Sequence, residues 1–326
     1  MNVANVAKSV LERIGATPMV RLDRIAAGLP VPVFAKCEHL NPGGSIKDRI
    51  ALAIVDDAEK RGLLRPGGTL VEATAGNTGV GLALVAAVRG YRVVCVLPQK
   101  MSVDKHAALT ALGVEVIVTP NAPPQHPDNF QNVARRLAGE RGWFLADQFV
   151  NLANPRIHEQ TTGPEILQQC GGCPGAFVCG VGTGGTITGV GRFLKRVNPG
   201  VRIVLADPVG SRLAHFVDAK HPDLDTAYLV EGIGGSVVPA VLDLSVVDAA
   251  ERITDEESFA MTGRLMREEG LLVGGSSGTA VAAALRVASS GGLSGPVVTI
   301  LADARDRYYS QPWMKQLAGA AGTPIR

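Results

Sequence analysis

The chain is poor in aromatic residues, which make up 4% of its 326 positions. So few rings argue against a stacking platform for single-stranded nucleic acid. It has no excess of either charge: 32 basic and 30 acidic side chains leave a formal +2. Without a basic block, a surface built to neutralise a phosphate backbone is excluded as well. Long apolar runs are missing. The most apolar stretch, residues 80–88, falls far short of the roughly 20 residues that span a bilayer. Near the N-terminus Lys8, Glu12 and Arg13 interrupt the apolar pattern, so the core of a secretory signal is absent and a cytoplasmic location is expected. There are only five cysteines, at 37, 95, 170, 173 and 179, an odd number that fits reduced thiols. Cys170 and Cys173 have CxxC spacing, but no second pair completes a zinc site. The six histidines are scattered, and no metal is expected. What the chain has in abundance is glycine, 39 residues, well above the usual share of about 7%. Tight turns and close backbone approaches are therefore expected.

Hydrophobic residues at 46% and charged ones at 19% describe a folded chain. At roughly 150 residues per domain its length suggests two domains. Strand-like runs at 31–37, 69–73, 91–97, 114–119, 143–146, 176–181, 201–206 and 296–301 alternate with helix-like ones. The helices are expected at 45–61 (with Ser45 as N-cap), 77–89, 102–112, 127–141, 155–170, 186–197, 255–269 and 278–288. Apolar strands separated by helices of this length form βαβ units, which make an α/β protein with parallel sheets. Residues 121–127, 209–235 and those after 317 read as irregular. No linker marks a boundary, which leaves insertion of one domain into the other open.

Four glycine-rich turns separate strands from helices, and helix N-termini suit anions. The first, Asn41-Pro-Gly-Gly-Ser-Ile-Lys47, puts Lys47 in a first helical turn, where the macrodipole disfavours a cation. A neutral amine is what covalent carbonyl chemistry requires; the plain alternative is a surface lysine beside a capped helix. The second, Thr74-Ala75-Gly76-Asn77-Thr78-Gly79, offers hydroxyls, an amide and bare N–H groups to a carboxylate or phosphate. It also reads as an ordinary turn with Asn as cap. The third, Gly180-Val-Gly182-Thr183-Gly184-Gly185-Thr186, satisfies GxGxxG, and Asp207 follows. That is a dinucleotide fingerprint by the letter; the extra Gly184 and the threonines equally suit a single phosphate. The fourth, Gly274-Gly275-Ser276-Ser277-Gly278, contains GxSxG. A nucleophile elbow needs a later histidine, and none follows His221.

In this order the four motifs resemble those of the pyridoxal-phosphate β-family (fold type II). The likeness is to cysteine synthase (O-acetylserine sulfhydrylase) and the catalytic core of cystathionine β-synthase, from about residue 14 to 313. The resemblance implies two α/β domains, each with a mainly parallel twisted sheet flanked by helices, and pyridoxal 5'-phosphate in the cleft between them. Residues 1–40 plus 152–326 would form the larger, cofactor-binding domain. Residues 41–151 would form a smaller inserted domain that closes on substrate. Lys47 would carry the cofactor, with Gly182, Thr183, Gly184, Gly185 and Thr186 around its phosphate, Asn77 at its ring oxygen and Ser276 at its ring nitrogen. Thr74, Ala75, Gly76, Thr78, Gln148 and Gly232 would bind the amino-acid substrate. A neutral Ser276 hydroxyl leaves the ring a weaker electron sink, which favours β-elimination over transamination. The implied reaction is ping-pong β-replacement on O-acetyl-L-serine or L-serine with sulfide, giving L-cysteine. In it Lys47 removes the Cα proton and later returns it. Ala75 stands where the family has Ser, and residues 207–211 and 230–234 look more like the cystathionine-forming branch. Condensation with homocysteine is therefore the alternative, and an NAD-dependent dehydrogenase the alternative of another class. The resemblance also implies a homodimer acting on small molecules, with no nucleic-acid or membrane partner. With no Cys before Cys37 and no His before His39, and with the chain ending near Arg326, neither the haem-binding extension nor the regulatory domain of some members is expected.

Overall fold

The computed structural model describes residues 6–74, 76–99, 103–123 and 125–319. Its strands, in chain order, begin with β1 (Met19–Arg21), β2 (Val33–Lys36), β3 (Thr69–Glu72), β4 (Arg92–Pro98) and β5 (Glu115–Thr119). They continue with β6 (Phe144–Leu145), β7 (Ala176–Gly180), β8 (Arg202–Pro208), β9 (Ala249–Ile253) and β10 (Val297–Ile300). The chain divides into two compact units. One runs up to Ala16 and resumes over Leu40–Ile157; the other comprises Thr17–His39 and the chain from His158 onward.

The smaller unit holds a sheet in the order β5-β4-β3-β6, parallel throughout. Strand β4 is buried from Val93 to Pro98, as a central parallel strand covered on both faces must be. Alternation then sends its side chains to two cores. Val93, Cys95 and Leu97 join Ile54, Val55, Leu82 and Val85 from the helices Lys47–Lys60 and Asn77–Arg89. Val94 and Val96 join Val71, Val133 and Ala134, the last two from the helix Phe130–Arg141. Leu11 and Ala153 belong to the first of these cores. Gly15 N–H donates to Asn41 Oδ1 (2.8 Å), and Arg156 reaches Asp57 at 3.2 Å. These contacts put residues 6–16 and 152–157 with the smaller unit, whereas the sequence reading had them in the larger.

The larger unit's sheet runs β1-β2-β10-β7-β8-β9, parallel except that β1 lies antiparallel to β2. Ala35, Val178, Val204 and Val297 pack with Val281, Ala284 and Val287 of the helix Gly275–Ser289. Phe177, Ile203, Leu205 and Val298, of the opposite parity, are fully buried too. The helix Gly185–Val197 comes close to Ile203 at Gly191, where a Cβ would lie 3.6 Å from Ile203 Cγ2. Lys36 in β2 is fully buried, its ammonium held by Glu165 Oε2 (2.6 Å), Thr17 O (2.6 Å) and Gln169 Oε1 (2.9 Å).

Several expected elements shift. Ile46, not Ser45, is the N-cap of the Lys47 helix. The helix expected at 155–170 is instead Ala153–Ile157, a π-helical turn His158–Thr162, and Gly163–Gln169. The last long helix starts at Gly275, one turn before the expected 278. Strands β1 and β9, the short helix Leu213–Val217 and the helix Pro312–Gly319 were not foreseen. Among the described residues no helix is long and apolar enough to cross a membrane.

Candidate functional site

In the smaller unit Lys47 is the first residue of its helix and half-buried. Its N–H donates to Ser45 Oγ (3.2 Å), so Ser45 serves the helix start without being its cap. The fully buried Asp48 accepts the Gly43 N–H at 2.5 Å. A Cβ on Gly43 would collide with that carboxylate, so a larger residue there would have to displace Asp48. Gly81 of the Asn77 helix packs on the same place, where a Cβ would sit 3.1 Å from the Lys47 carbonyl oxygen. The starts of the two helices are thus neighbours.

Asn77 is the first residue of its own helix rather than its cap; the cap is Gly76, which contributes no side chain. The first N–H groups of a helix have no intrahelical acceptor, and here no cap side chain covers them. Around them lie the hydroxyl and amide groups singled out from sequence. Thr74 Oγ1 accepts from Gly76 N–H (3.2 Å). Thr78 Oγ1 donates to Gln148 Oε1 (2.6 Å), and Gln148 Nε2 donates to Glu72 Oε1 (3.1 Å). Asn154 Nδ2 fixes the backbone by donating to Gln148 O (2.8 Å). Thr74, Thr78 and Gln148 are all buried. The fold therefore joins Thr78 with Gln148, 70 residues apart in sequence. Ala75 lies outside the described residues.

In the larger unit Gly182, Thr183, Gly184, Gly185 and Thr186 form the turn from β7 into the Gly185 helix. Gly184 is its N-cap, with φ +90° and no side-chain capping bond. A Cβ on Gly182 would strike the Gly232 carbonyl oxygen, and one on Gly184 would come within 2.6 Å of Leu242 Cβ. Gly232 is thus brought against the turn, and Gly234 N–H donates to Val181 O (2.8 Å). The result is a helix N-terminus without a cap side chain, where the Gly185 N–H donates to Thr183 Oγ1 (3.4 Å) and the Thr186 hydroxyl stands nearby, an arrangement whose sign suits an anion. Thr186 Oγ1 lies 3.3 Å from His158 Nε2, and His158 Nδ1 lies 2.9 Å from Thr162 Oγ1. Ser276 is the second residue of the Gly275 helix and is buried.

The competing motif readings do not fit this geometry. In a dinucleotide site the acidic residue after the fingerprint meets the ribose. Asp207 is instead fully buried, and its Oδ2 accepts from Ala214 N–H (2.8 Å) beside the helix Leu213–Val217. Ser276 sits inside a helix, and the downstream Asp303 accepts from Tyr308 Oη (2.6 Å). The Cys170 thiol is pushed up to about 11 by burial and by Cys173, the opposite of a reactive thiolate. No cluster of three His, Cys, Asp or Glu able to hold a metal occurs among the described residues. Sequence reasoning assigned no role to Glu72 or His158. Glu72 carried a signal, a lone acid closing an apolar strand directly before the second turn. His158 carried none, because its contact depends on the π-helical turn.

A family profile described as "Pyridoxal-phosphate dependent enzyme" matches residues 10–303. Cystathionine beta-synthase of Oryctolagus cuniculus is 46% identical over 319 residues, 95% of this chain and 58% of the relative. The chain thus spans little more than half the length of that relative. Cysteine synthase 1 of Neurospora crassa is 44% identical over 95% of this chain and 85% of the relative. Cysteine synthase of Staphylococcus aureus is 40% identical over 93% and 96%. Among solved structures, O-ureido-L-serine synthase superposes with a TM-score of 0.87 at 38% identity, covering 97% of this chain and all of that one.

Proposed function

The chain belongs to the pyridoxal-phosphate dependent enzyme family, and on that premise we propose that it catalyses β-replacement on a serine-derived amino acid. The donor is O-acetyl-L-serine or L-serine, the acceptor sulfide, and the product L-cysteine. The cofactor is pyridoxal phosphate, which when bound supplies an electron sink for the charge left at Cα.

The protein's own groups divide the remaining work. The Lys47 amine would hold the cofactor, and when free it would take the Cα proton and later return it, as a general base and then a general acid. The glycine-rich N-terminus from Gly182 to Thr186 would hold the phosphate, since the N-cap Gly184 has no side chain to compete for its N–H groups. Ser276 would face the cofactor's ring nitrogen as a neutral hydroxyl, and Asn77 its ring oxygen. Thr74, Gly76, Thr78 and Gln148 take the substrate carboxylate, with Ala75 and Gly232 beside the substrate. The observation that carries this reading is the uncapped start of the Asn77 helix with the buried Thr78–Gln148 pair beside it. It offers a small carboxylate an N-terminal dipole together with the second amide hydrogen of Gln148, whose orientation Thr78 fixes.

The test is the visible absorbance of the purified holoenzyme before and after O-acetyl-L-serine, followed by kcat/KM with sulfide. No spectral change with O-acetyl-L-serine or L-serine would refute the reading. Cystathionine formation is the second reading, favoured by the 46% identical relative of that name. If homocysteine exceeds sulfide in kcat/KM, it takes precedence. Formation of O-ureido-L-serine belongs in the same assay, given the solved neighbour. A cytoplasmic homodimer completes the proposal, to be checked by cell fractionation and light scattering.

A further inference from the structure

Glu72 closes β3 immediately before the substrate loop and is 1% exposed. Its Oε1 accepts from Gln148 Nε2 (3.1 Å), and Gln148 accepts in turn from Thr78 (2.6 Å). Among the described residues Glu72 Oε2 has no partner in hydrogen-bonding geometry. A buried carboxyl group half satisfied in this way is costly when charged. Here it lies one side chain behind the groups assigned to an incoming carboxylate.

We propose that Glu72 is a positioning residue that takes up a proton when the substrate carboxylate binds and releases it when the site empties. This rests on the amino-acid substrate proposed above. The physical reason is that two carboxylates sharing one amide relay in dry surroundings cannot both stay ionised at little cost. The relay itself survives protonation, because the Glu72 carbonyl oxygen still accepts from Gln148 Nε2. The balance is one solvent proton added to the Glu72 carboxylate for each substrate carboxylate bound, and the same proton returned on release.

The surroundings agree. Burial, and next the charge of Asp147, push the Glu72 carboxyl up to about 7, while the amide of Gln148 and the backbone N–H groups of Asp147 and Gln148 pull it down. On β4, Cys95 pairs in register with Glu72, and its thiol is pushed up to about 12 by burial and by Glu72. It therefore stays neutral. Asp147 is also raised by burial, and Arg135 of the Phe130 helix opposes that shift. Asp147 holds φ +45°, an uncommon conformation for a residue with a side chain. The turn that presents Gln148 is thus strained, and it carries the N–H groups that face Glu72.

The experiment uses the holoenzyme and L-alanine, which has the carboxylate and amine but no leaving group. Its Kd is measured from pH 6 to 9 for the wild type and for Glu72→Gln, which keeps the acceptor for Gln148 without the charge. The substrate amine must also lose a proton, an effect of opposite sign common to both proteins, so the ratio of the two Kd values isolates Glu72. With a group titrating near 7, the wild-type Kd should rise relative to Glu72→Gln by about fivefold between pH 7 and 8. Calorimetry at pH 8 in two buffers of different ionisation enthalpy should find about one more proton taken up by the wild type. A ratio that stays flat with pH, or wild-type binding without extra proton uptake, overturns the inference and leaves the β-replacement reading standing. No saturable binding of L-alanine or O-acetyl-L-serine to the wild type at any pH overturns that reading, and this inference with it.

Discussion

Replacing Lys36 with methionine is expected to destabilise the larger unit by about 3 kcal/mol. Lys36 lies in β2 with its side chain wholly buried, and its ammonium meets three acceptors, two of them, Glu165 and Gln169, on the Gly163–Gln169 helix. Methionine fills the volume of the aliphatic stem but brings no donor. Breaking a buried pair by removing one partner costs about 3–5 kcal/mol. The Glu165 side chain is 19% exposed, so water relieves part of the cost and the lower end applies. In thermal denaturation that corresponds to a fall in Tm of about 6–12 °C for a unit of this size. The double variant Lys36→Met/Glu165→Gln removes both charges and should regain about 1–2 kcal/mol of the loss. The assay is a double-mutant cycle by urea denaturation, each transition followed by two probes because the chain has two units. A loss below about 1 kcal/mol for Lys36→Met, or strictly additive single variants, would refute the view that this ion pair joins strand to helix.

The remaining expectations concern the site and its pH dependence. Lys47→Ala should lower turnover by at least about a thousandfold with an unchanged circular dichroism spectrum; retained turnover contradicts the assigned role. Thr78→Val removes the donor to Gln148 Oε1 and should raise KM for the amino acid about tenfold, with kcat less affected; a lower kcat at constant KM would place Thr78 in the chemical step. Gly184→Ala puts a Cβ within 2.6 Å of Leu242 at φ +90°, a cost of about 2–4 kcal/mol. Titration with pyridoxal phosphate should show it as weaker cofactor binding, and unchanged affinity counts against the loop as the phosphate cradle. Glu72, raised from 4.5 to about 7, stays protonated in the folded protein while the unfolded chain ionises. Stability should therefore fall as pH rises from about 4.5 to 7, by about 3 kcal/mol in all. Urea denaturation at pH 5 and 7.5 should find that Glu72→Gln removes that part of the slope.

The α/β class and the alternation of strands and helices were legible because central parallel strands such as β4 are almost continuous in valine and leucine. The turns were legible too, since glycine pairs before a helix leave few conformational options. What escaped has a tertiary origin. Strand β9, Ala249–Ile253, is only partly buried at the sheet edge and carries Glu251 and Arg252, so its composition reads as neither strand nor core. The break at His158–Thr162 adjoins Gly163, where a Cβ would come within 2.8 Å of Phe193, a tertiary constraint that the 3.6-residue period, running through it unchanged, does not show. The residue set proposed for the substrate was named by resemblance. Its wiring was not, because the links Thr78 to Gln148 and Gln148 to Glu72 join positions 70 and 76 residues apart.

The glycine surplus, the oddest feature of the composition, divides along functional lines. Gly90 ends the Asn77 helix at φ +75°, and a Cβ there would meet nothing within 4 Å. This is turn chemistry, and it constrains only the backbone. Gly182 has no positive φ, yet a Cβ on it would strike the Gly232 carbonyl oxygen, so its constraint is space. Alanine in place of Gly90 would strain one residue. Alanine in place of Gly182 would push apart the phosphate turn and the loop that carries Gly232, two segments far apart in sequence. In the proposed function, glycine at the helix N-termini has a further role. It lets backbone N–H groups, rather than long flexible cations, face an anionic ligand.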